Sequence, residues 1–308
     1  MIGCAAAPVA LRRARPLLGT VVEIGLCGPD GLADGTGPVA GHAGPSPQAG
    51  GAAHGASPPA DSACAALAAG FAAIQHAQAC LSRFDPASDL SLFHALPVGQ
   101  RLAVRPVTAQ VLAAAQALRL ASDGLFDISL GSAPAGWWLD GAWLEKRDGA
   151  VRLDLGGIGK GHAVDLAVQA LRHHGAVAGW VNAGGDLRAF GDLDLPVQLR
   201  QAGGGVQTFA HLRDGAFATS AFGPGQRSSL AGRGADRFGG PAAPRPGRLR
   251  RSSRAGRCAT AGAAHVSVAA PLCLWADALT KLVAASGNPA HALLAQHGAS
   301  AWWHGMST

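Results

Sequence analysis

The sequence predicts an α+β fold, and three observations carry that prediction. Predicted helices and strands alternate irregularly along the chain, whereas a doubly wound parallel sheet requires regular alternation. Between residues 186 and 212 the predicted strands are separated by gaps of hairpin length, which indicates antiparallel pairing. The chain has 308 residues, 48% of them hydrophobic and 14% charged, so it can bury a substantial core and is too apolar to be mostly disordered.

The first half of the chain contains one predicted strand and two predicted helices. β-Branched residues that alternate around Glu23 predict a strand over residues 15–26. A segment with nine glycines and six prolines, residues 28–62, predicts a flexible insertion rather than a domain boundary. Ser62 is expected to cap the first helix and Thr108 the second, and both helices have an apolar face at helical spacing.

The second half of the chain contains short predicted strands around glycine turns. A strand is predicted over residues 151–155, a glycine loop over 156–161 and a helix over 162–174. The last helix is predicted over 274–286 and is closed by Gly287. The other strands are predicted over 176–181, 187–190, 195–200, 206–212 and 265–270.

The excess positive charge of the chain is confined to one segment. The formal net charge is +6, yet the window from Arg227 to Arg257 contains nine arginines and one acid, Asp236, and therefore carries +8. The remainder of the chain therefore carries about −2. A nucleic-acid interface would have aromatic residues between basic residues on folded elements, whereas these arginines lie in a Gly/Pro/Ser-rich stretch with a single Phe238. We therefore expect no nucleic-acid partner.

Cysteine usage and hydropathy exclude several further classes. The six cysteines form no Cys-x-x-Cys pair, which argues against a disulfide scaffold and a cysteine zinc site. Glycine, proline or a charge interrupts every apolar run before the roughly 20 residues of a membrane span, so we expect no transmembrane segment. The N-terminus has no clean targeting signal, which favours a cytoplasmic protein. A periplasmic or lipid-anchored form would follow if the start site is misassigned, because residues 1–4 end in a lipoprotein-like cysteine.

The segment from Asp154 to Gly161 (DLGGIGKG) has the features of an anion site. A predicted strand ends, glycines let backbone N–H groups approach a phosphate, and a helix begins beside Lys160. The spacing matches neither GxxxxGK[ST] nor GxGxxG. A tight strand-to-helix turn that simply needs glycine explains the pattern as well.

Three other polar positions could carry chemistry. Residues 182–186 (NAGGD) form a polar glycine turn that also fits a hairpin with Asx hydrogen bonds. Asp127 could be an ordinary turn acid. Asp277 lies on an apolar helix face, where a carboxylate is unfavourable unless it is paired or binds a metal. With Thr280 one turn later it could offer oxygen ligands to Mg²⁺, or it could be a helix-terminus acid favoured by the helix dipole.

Six sequence blocks, taken in order, resemble the ApbE family of FAD:protein FMN transferases. The blocks are 16–20 (PLLGT), 81–90 (LSRFDPASDL), 124–128 (GLFDI), 154–165 (DLGGIGKGHAVD), 182–188 (NAGGDLR) and 266–280 (VSVAAPLCLWADALT). The resemblance implies one such domain over residues 11–306. It further implies two lobes of mixed, mostly antiparallel sheet and helices, with FAD in the cleft between them.

The resemblance also implies an activity and a set of site residues. The activity is Mg²⁺-dependent transfer of FMN from FAD to a threonine hydroxyl of a target flavoprotein, with release of AMP. The alternatives are a degenerate homologue that only binds FAD and an FAD pyrophosphatase that gives FMN and AMP. FAD would contact Leu18, Phe84, Leu125, Phe126, Asp127, Asp154 and Lys160. Mg²⁺ would be bound by the Gly157 carbonyl, Asp277 and Thr280.

The expected metal site leads to a first expectation about mutation. Asp277→Ala should remove metal-dependent activity and leave the fold largely intact, because an acid on an apolar helix face is not needed for packing.

Two departures from the family pattern affect the expected mechanism. The family usually has its metal-binding threonine four residues after the aspartate, where this chain has Lys281. The family segment His-x-x-Asp-Pro-x-x-Gly, whose histidine is a candidate for assisting threonine deprotonation, is not found between Ser220 and His265. No catalytic residue is therefore assigned. If the segment between Ser220 and His265 is genuine and well ordered, a histidine from elsewhere, His211 or His265, would take this role.

An atypical Arg-rich segment at about 226–263 stands where the family segment is expected. Its composition suggests a compensated frameshift, and a divergent loop is the alternative. Because it lacks apolar periodicity, we expect it to be irregular.

Overall fold

The computed structural model describes residues 3–4, 9–28, 60–200, 206–222 and 264–304. In chain order its elements are β1 (Gly3–Cys4), β2 (Val9–Leu17), β3 (Thr20–Cys27), α1 (Ala60–Leu81), α2 (Asp89–Ala95), β4 (Arg101–Ala103), α3 (Pro106–Ala121), β5 (Trp137–Asp140), β6 (Trp143–Lys146), α4 (Gly159–His173), β7 (Gly179–Ala183), β8 (Asp186–Phe190), β9 (Leu195–Arg200), β10 (Val206–Leu212), β11 (Ala216–Phe222), β12 (Ala264–Ala270), α5 (Cys273–Ser286), α6 (Ala292–Gln296) and β13 (Ser300–His304).

Two predicted irregular segments fall largely outside this description. The insertion predicted over 28–62 is described only at its two ends, and the Arg-rich segment over 226–263 lies wholly outside the described residues. The expectation of irregular structure for the Arg-rich segment therefore stays a prediction.

A seven-stranded antiparallel sheet forms the centre of the fold, with the strand order β13-β12-β11-β8-β7-β3-β2. Helices α1, α4 and α5 pack on one face of this sheet and bury the main core against it. The small sheet β1-β9-β10 covers the other face, where Phe209 and Phe217 meet with ring centroids 5.9 Å apart. A third sheet, β4-β6-β5, lies beside α2 and α3. Antiparallel sheets combined with packed helices confirm the predicted α+β class.

The N-terminal strand prediction was only partly right. Residues 15–26 form a hairpin of β2 and β3, closed by a two-residue turn at Leu18 and Gly19. Both turn residues have positive φ, 55° and 70°, as a tight antiparallel hairpin requires. The left-handed region is unfavourable for leucine, which is why the sequence did not indicate this turn. Gln78 of α1 stabilises it by accepting a hydrogen bond from the Leu18 amide at 2.6 Å.

Two predictions were wrong, the start of α3 and a strand over residues 151–155. The helix begins at Pro106, where the missing N–H is tolerated, and not after a cap at Thr108. The Thr108 hydroxyl is buried and donates to a carboxylate of α2. Residues 151–155, predicted as a strand, belong to no strand of the described structure. The Leu153 amide donates instead to Nε2 of His94 at 2.8 Å.

In the second half of the chain, the bounds of the helices and strands lie closer to the predicted ones. Helix α4 begins at Gly159, three residues earlier than predicted, so Lys160 lies in its first turn rather than in a loop. Helix α5 ends at Ser286 as predicted, with Gly287 left-handed at φ 67°. The strands predicted over 187–190, 195–200, 206–212 and 265–270 are present to within one residue, and that predicted over 176–181 lies at Gly179–Ala183.

Helix α1 is longer and more apolar than the sequence analysis allowed for. It begins at Ala60, two residues before the predicted cap at Ser62. Ser62–Leu81 is long and apolar enough to cross a membrane, and it is the one such helix in the described part of the chain. The expectation that no apolar stretch would be long enough was therefore wrong. The side chains of Leu67, Phe71 and Ile74 are buried in the core, so core packing accounts for the apolar face of this helix.

Candidate functional site

Four charged side chains meet where α4, α5 and β8 converge, and we call them the charge cluster: Lys160, Asp186, Asp277 and Lys281. The Lys160 ammonium donates to the Asp186 carboxylate, and the Lys281 ammonium donates to the Asp277 carboxylate. Asp277 is wholly buried and Asp186 nearly so. The cluster thus brings together two residues predicted for separate roles, Lys160 for FAD and Asp277 for the metal.

Charge compensation determines the protonation of the charge cluster. Burial raises the pKa of Asp277, but the ammonium groups of Lys281 and Lys160 outweigh burial and leave this pKa below its ordinary value. Burial lowers the pKa of Lys160, yet the charges of Asp277 and Asp186 leave it above its ordinary value. Burial and the neighbouring Asp277 raise the pKa of Asp186, which Lys160 offsets only in part. Asp277 is therefore held as a carboxylate and Lys160 as an ammonium.

Close packing of α4 on α5 fixes the position of Asp277. The Gly161 amide donates to Oδ2 of Asp277 at 3.2 Å. A Cβ atom on Gly161 would lie 2.2 Å from the carbonyl oxygen of Cys273, so only glycine permits this approach of the two helices. The glycine after Lys160 is therefore needed for helix packing, a reason that differs from both the anion site and the strand-to-helix turn considered for the DLGGIGKG pattern.

Asp165 of α4 was missed as a site residue by the sequence analysis. Its carboxylate accepts a hydrogen bond from Nη1 of Arg188 at 2.6 Å. It also accepts the backbone amides of Cys273 and Leu274, both at 2.9 Å, at the start of α5. The signal that could have found it is an acid on the buried side of a helix, where a partner is required.

The Thr280 hydroxyl is engaged within its own helix. It donates to the Asp277 carbonyl at 2.7 Å, so the contact with Oγ of Ser220 at 2.8 Å has Ser220 as the donor. Oγ of Ser220 in turn accepts a hydrogen bond from Nζ of Lys281 at 2.9 Å. Thr280 therefore lies beside the charge cluster, as predicted from helical spacing, with its proton directed at the backbone.

A second group of predicted residues lies at the turn before α4. Oδ1 of Asp154 accepts the Gly156 amide at 2.8 Å, and its Oδ2 accepts Nη1 of Arg83 at 3.0 Å. The Arg83 guanidinium lies over the ring of Phe84, 4.8 Å from the centroid. Phe84 is 84% exposed, so its ring can take up a ligand without disturbing the core.

The predicted residues Leu125, Phe126 and Asp127 have mainly structural contacts. Phe126 is buried in the core and Leu125 is partly buried against it. Both carboxylate oxygens of Asp127 accept hydrogen bonds from Ser129, from its amide at 2.9 Å and from its hydroxyl. The neighbouring carbonyl of Ile128 accepts the amide of Asp154 at 2.8 Å, so this turn adjoins the Asp154 group.

The NAGGD turn closes the hairpin of β7 and β8, which was the structural alternative for this motif. The Asn182 side chain accepts the Gly185 amide at 3.0 Å, an Asx hydrogen bond. Gly184 is left-handed at φ 65°, and a Cβ there would lie 2.5 Å from Oγ1 of Thr20. The turn therefore brings the β2–β3 hairpin, which carries Leu18, next to the strand that begins at Asp186.

A family comparison agrees with this arrangement of elements. Residues 48–142 and 133–223 match the model of the ApbE family, and together these ranges span more than half of the chain. The chain belongs to the ApbE family. The match ends at residue 223, ahead of the Arg-rich segment. No curated protein sequence matches the chain.

Solved ApbE structures share the fold at low sequence identity. The flavinyl transferase ApbE of Pseudomonas stutzeri, in its apo form, matches with a TM-score of 0.65 and 19% identity, covering 95% of this chain and 90% of that one. The flavin transferase ApbE of Vibrio cholerae matches at 0.60 and 17%, covering 89% and 86%. The ApbE protein of Thermotoga maritima matches at 0.59 and 18%, covering 90% and 87%. The resemblance stated from the sequence is confirmed for family and fold.

The cleft that an ApbE fold implies between two lobes is not shown by the described residues. One surface depression of about 170 Å³ lies between β2 and α1, with Arg13, Arg15 and Phe71 in its lining. Ligand pockets usually measure about 300–1,000 Å³, and none of the predicted FAD-binding residues lines this depression. The position of FAD therefore stays a prediction from the family resemblance.

The predicted Mg²⁺ ligands do not present a fitting set of oxygens. Mg²⁺ requires near-octahedral oxygen ligands, whereas the Asp277 carboxylate is bonded to Lys281 and to the Gly161 amide. The Thr280 hydroxyl is directed at a backbone carbonyl, and Gly157 is buried in the turn before α4. Across the described ranges no group of three or more His, Cys, Asp or Glu residues is placed to hold a metal ion.

Neither histidine considered as a replacement base lies in the charge cluster. His211 is exposed, and its Nδ1 contacts Asp194 at 2.7 Å. His265 pairs with Ala221 on β11, so its side chain lies on the sheet face opposite to that of Ser220. Neither residue is therefore assigned as the catalytic base.

Acidification should loosen the segment that carries Asp154. Nε2 of His94 accepts the Leu153 amide at 2.8 Å, which requires the neutral ring. Burial, assisted by the charges of Arg152 and Lys146, lowers the pKa of His94. A lowered histidine pKa stabilises the fold above the unfolded-chain value of about 6.5, and this contribution is lost as the pH falls through that value towards the folded-state pKa.

The measurement is the urea midpoint between about pH 8 and pH 5, for the wild type and for His94→Gln. The glutamine amide can accept the same hydrogen bond without titrating. We expect the wild-type midpoint to fall more steeply below about pH 6.5 than that of the variant. Parallel profiles would show that His94 does not cause the acid sensitivity.

Proposed function

We propose that this chain transfers FMN from FAD to a threonine hydroxyl of a flavoprotein acceptor and releases AMP. Membership in the ApbE family supports the proposal, as do the names of the P. stutzeri and V. cholerae proteins, flavinyl and flavin transferase. The observation that carries it in this chain is the exposed Phe84 ring beside Arg83 and Asp154, at a glycine turn that leads into the N-terminus of α4.

The reaction places defined demands on the site. The threonine oxygen forms a bond to the phosphorus of the FMN half, and the bond from that phosphorus to the bridging oxygen breaks. AMP leaves with the electron pair, and the hydroxyl proton passes to a base or to solvent. Negative charge develops on the phosphate oxygens, so cations and backbone N–H groups should stabilise the transition state.

This chain offers such groups near α4. The Gly156–Ile158 turn leads into the first turn of α4, where the helix dipole favours an anion. Lys160 and Arg83 add positive charge on either side of this turn. The Mg²⁺ dependence that the resemblance implies has no fitting ligand set here, so no step of the proposal passes through a metal ion.

The decisive test is transfer to a purified flavoprotein domain that carries the acceptor threonine. The chain is incubated with FAD and this domain, and both are weighed by mass spectrometry. A gain of one FMN on the domain, absent when its threonine is changed to alanine, supports the proposal. Free FMN and AMP would indicate a pyrophosphatase instead.

FAD binding without transfer is the second candidate function. One observation favours it: the family histidine segment is not found between Ser220 and His265, and neither His211 nor His265 lies in the charge cluster. General-base assistance is typically worth about 10²–10⁴ in rate, so a chain without it could bind FAD and transfer FMN very slowly. Bound FAD that stays intact beside an unmodified acceptor would identify this function.

Phe84→Ala should weaken FAD binding without weakening the fold. A stacked aromatic ring contributes about 1–3 kcal/mol to binding of a base, so the Kd for FAD should rise about 5- to 150-fold. The urea midpoint should stay unchanged, because Phe84 is exposed. Trp143→Ala, which removes a half-exposed aromatic ring on β6, is the control for FAD binding and should leave the Kd unchanged. Equal FAD affinity of wild type and Phe84→Ala, measured by flavin fluorescence, would exclude Phe84 from the site.

A further inference from the structure

Lys281 occupies the position where the family pattern has a metal-binding threonine, and each N–H of its ammonium group has a hydrogen-bond acceptor. Its three N–H donors have three acceptors: Oδ1 of Asp277, the Asp277 carbonyl at 3.1 Å and Oγ of Ser220 at 2.9 Å. Only 8% of the Lys281 side chain is exposed. The ammonium is thus held among oxygens by one helix turn and by β11, as a bound cation would be.

The charges around this position are already balanced. Asp277 is matched by Lys281, and Asp186 by Lys160. The adjoining carboxylate of Asp165 is matched by Arg188. A divalent cation placed on Asp277 would therefore add two charges to a compensated site. It would also have to displace a buried ammonium that has no other carboxylate partner within the described ion pairs.

We propose that the Lys281 ammonium takes the place of the divalent cation in this chain, so that Asp277 binds no Mg²⁺ and FAD is bound without it. The lysine is fixed on the helix and supplies one positive charge beside Asp277, where the family pattern implies a bound metal ion. The part of this inference that concerns FAD rests on the function proposed above. The part that concerns the cation does not.

The test is a titration of the apo protein with Mn²⁺, a spectroscopic substitute for Mg²⁺, followed by electron paramagnetic resonance. We expect no stoichiometric Mn²⁺ binding to the wild type at micromolar to millimolar concentrations. Lys281→Thr restores a hydroxyl and removes the ammonium, leaving Asp277 uncompensated. That variant should bind one Mn²⁺ at least about tenfold more tightly than the wild type, because one unit of repulsive charge has been removed from a buried site.

Two controls locate the bound ion and guard against misfolding. Lys281→Thr combined with Asp277→Asn should lose the Mn²⁺ site. The melting temperature of Lys281→Thr should rise when Mn²⁺ is added, whereas that of the wild type should not. The wild-type titration needs no variant, so the inference can be tested even if Lys281→Thr folds poorly.

Stoichiometric Mn²⁺ binding to the wild type that requires Asp277 would overturn the inference. Failure of folded Lys281→Thr to bind Mn²⁺ would overturn it as well, since Lys281 would then not be what excludes the ion. FAD binding by the wild type is measured separately, in EDTA and in Mg²⁺, and equal Kd values are expected. Absence of FAD binding in both solutions would contradict the proposed function while leaving the Mn²⁺ result standing.

Discussion

Asp277→Ala is expected to destabilise the protein by about 3–5 kcal/mol, because it leaves the buried Lys281 ammonium without its carboxylate. Asp277 is wholly buried and also accepts the Gly161 amide at 3.2 Å, so a second donor loses its partner. The loss is a large share of the roughly 5–15 kcal/mol by which domains are usually stable. The sequence alone led to the opposite expectation, an intact fold, because the partner of this carboxylate was not recognised.

The measurement is urea unfolding of the single variant and of Asp277→Ala combined with Lys281→Met. Removing both charges replaces a buried pair with apolar groups, which is often nearly neutral. The double variant should therefore recover most of the stability that the single variant loses. If the single variant is as stable as the wild type, the ion pair does not form in solution.

The sequence predicted best the elements whose pattern is local. Helix α5 and its glycine stop were found to within one residue, because apolar periodicity and a C-terminal glycine lie side by side in the chain. The turn at Leu18 was missed, since its left-handed leucine is stabilised by Gln78, sixty residues away. Residues 151–155 were mistaken for a strand because their apolar residues alternate as in a strand, whereas the Leu153 amide donates to a histidine side chain instead of to a neighbouring strand.

In the candidate site, too, residues with a local sequence signal were predicted, whereas residues that depend on distant contacts were missed. Lys160 and Asp277 were both predicted, and the structure brings them into one charge cluster. The spacing of Asp277 and Lys281, four residues apart on a helix, also fits an ion pair, but the sequence analysis considered only the pairing of Asp277 with Thr280 as metal ligands. Asp165 gave no local sign of its partners, because Arg188 and the start of α5 reach it only through the tertiary fold.

Asp165→Ala should cost about 3–5 kcal/mol as well, and it should also displace α5. It leaves the buried guanidinium of Arg188 without its carboxylate. It also frees the amides of Cys273 and Leu274, for which Asp165 acts as a helix cap supplied by another helix. Loss of a cap typically adds about 1 kcal/mol. Because α5 carries Asp277 and Lys281, release of its first turn should disturb the charge cluster too.

Amide hydrogen exchange separates this positioning role from a general loss of stability. In Asp165→Ala the first turn of α5 should exchange faster than the end of the same helix, when both are compared with the wild type. The matched control is Asp214→Asn, which removes the charge of an exposed ion pair with Arg172 at a left-handed position that asparagine tolerates, and it should change stability by less than about 1 kcal/mol. Asp165→Asn, which keeps one acceptor for the helix amides but not the charge, should fall between the two. Uniform protection along α5 in Asp165→Ala would mean that packing against α4, rather than the carboxylate, holds the start of this helix.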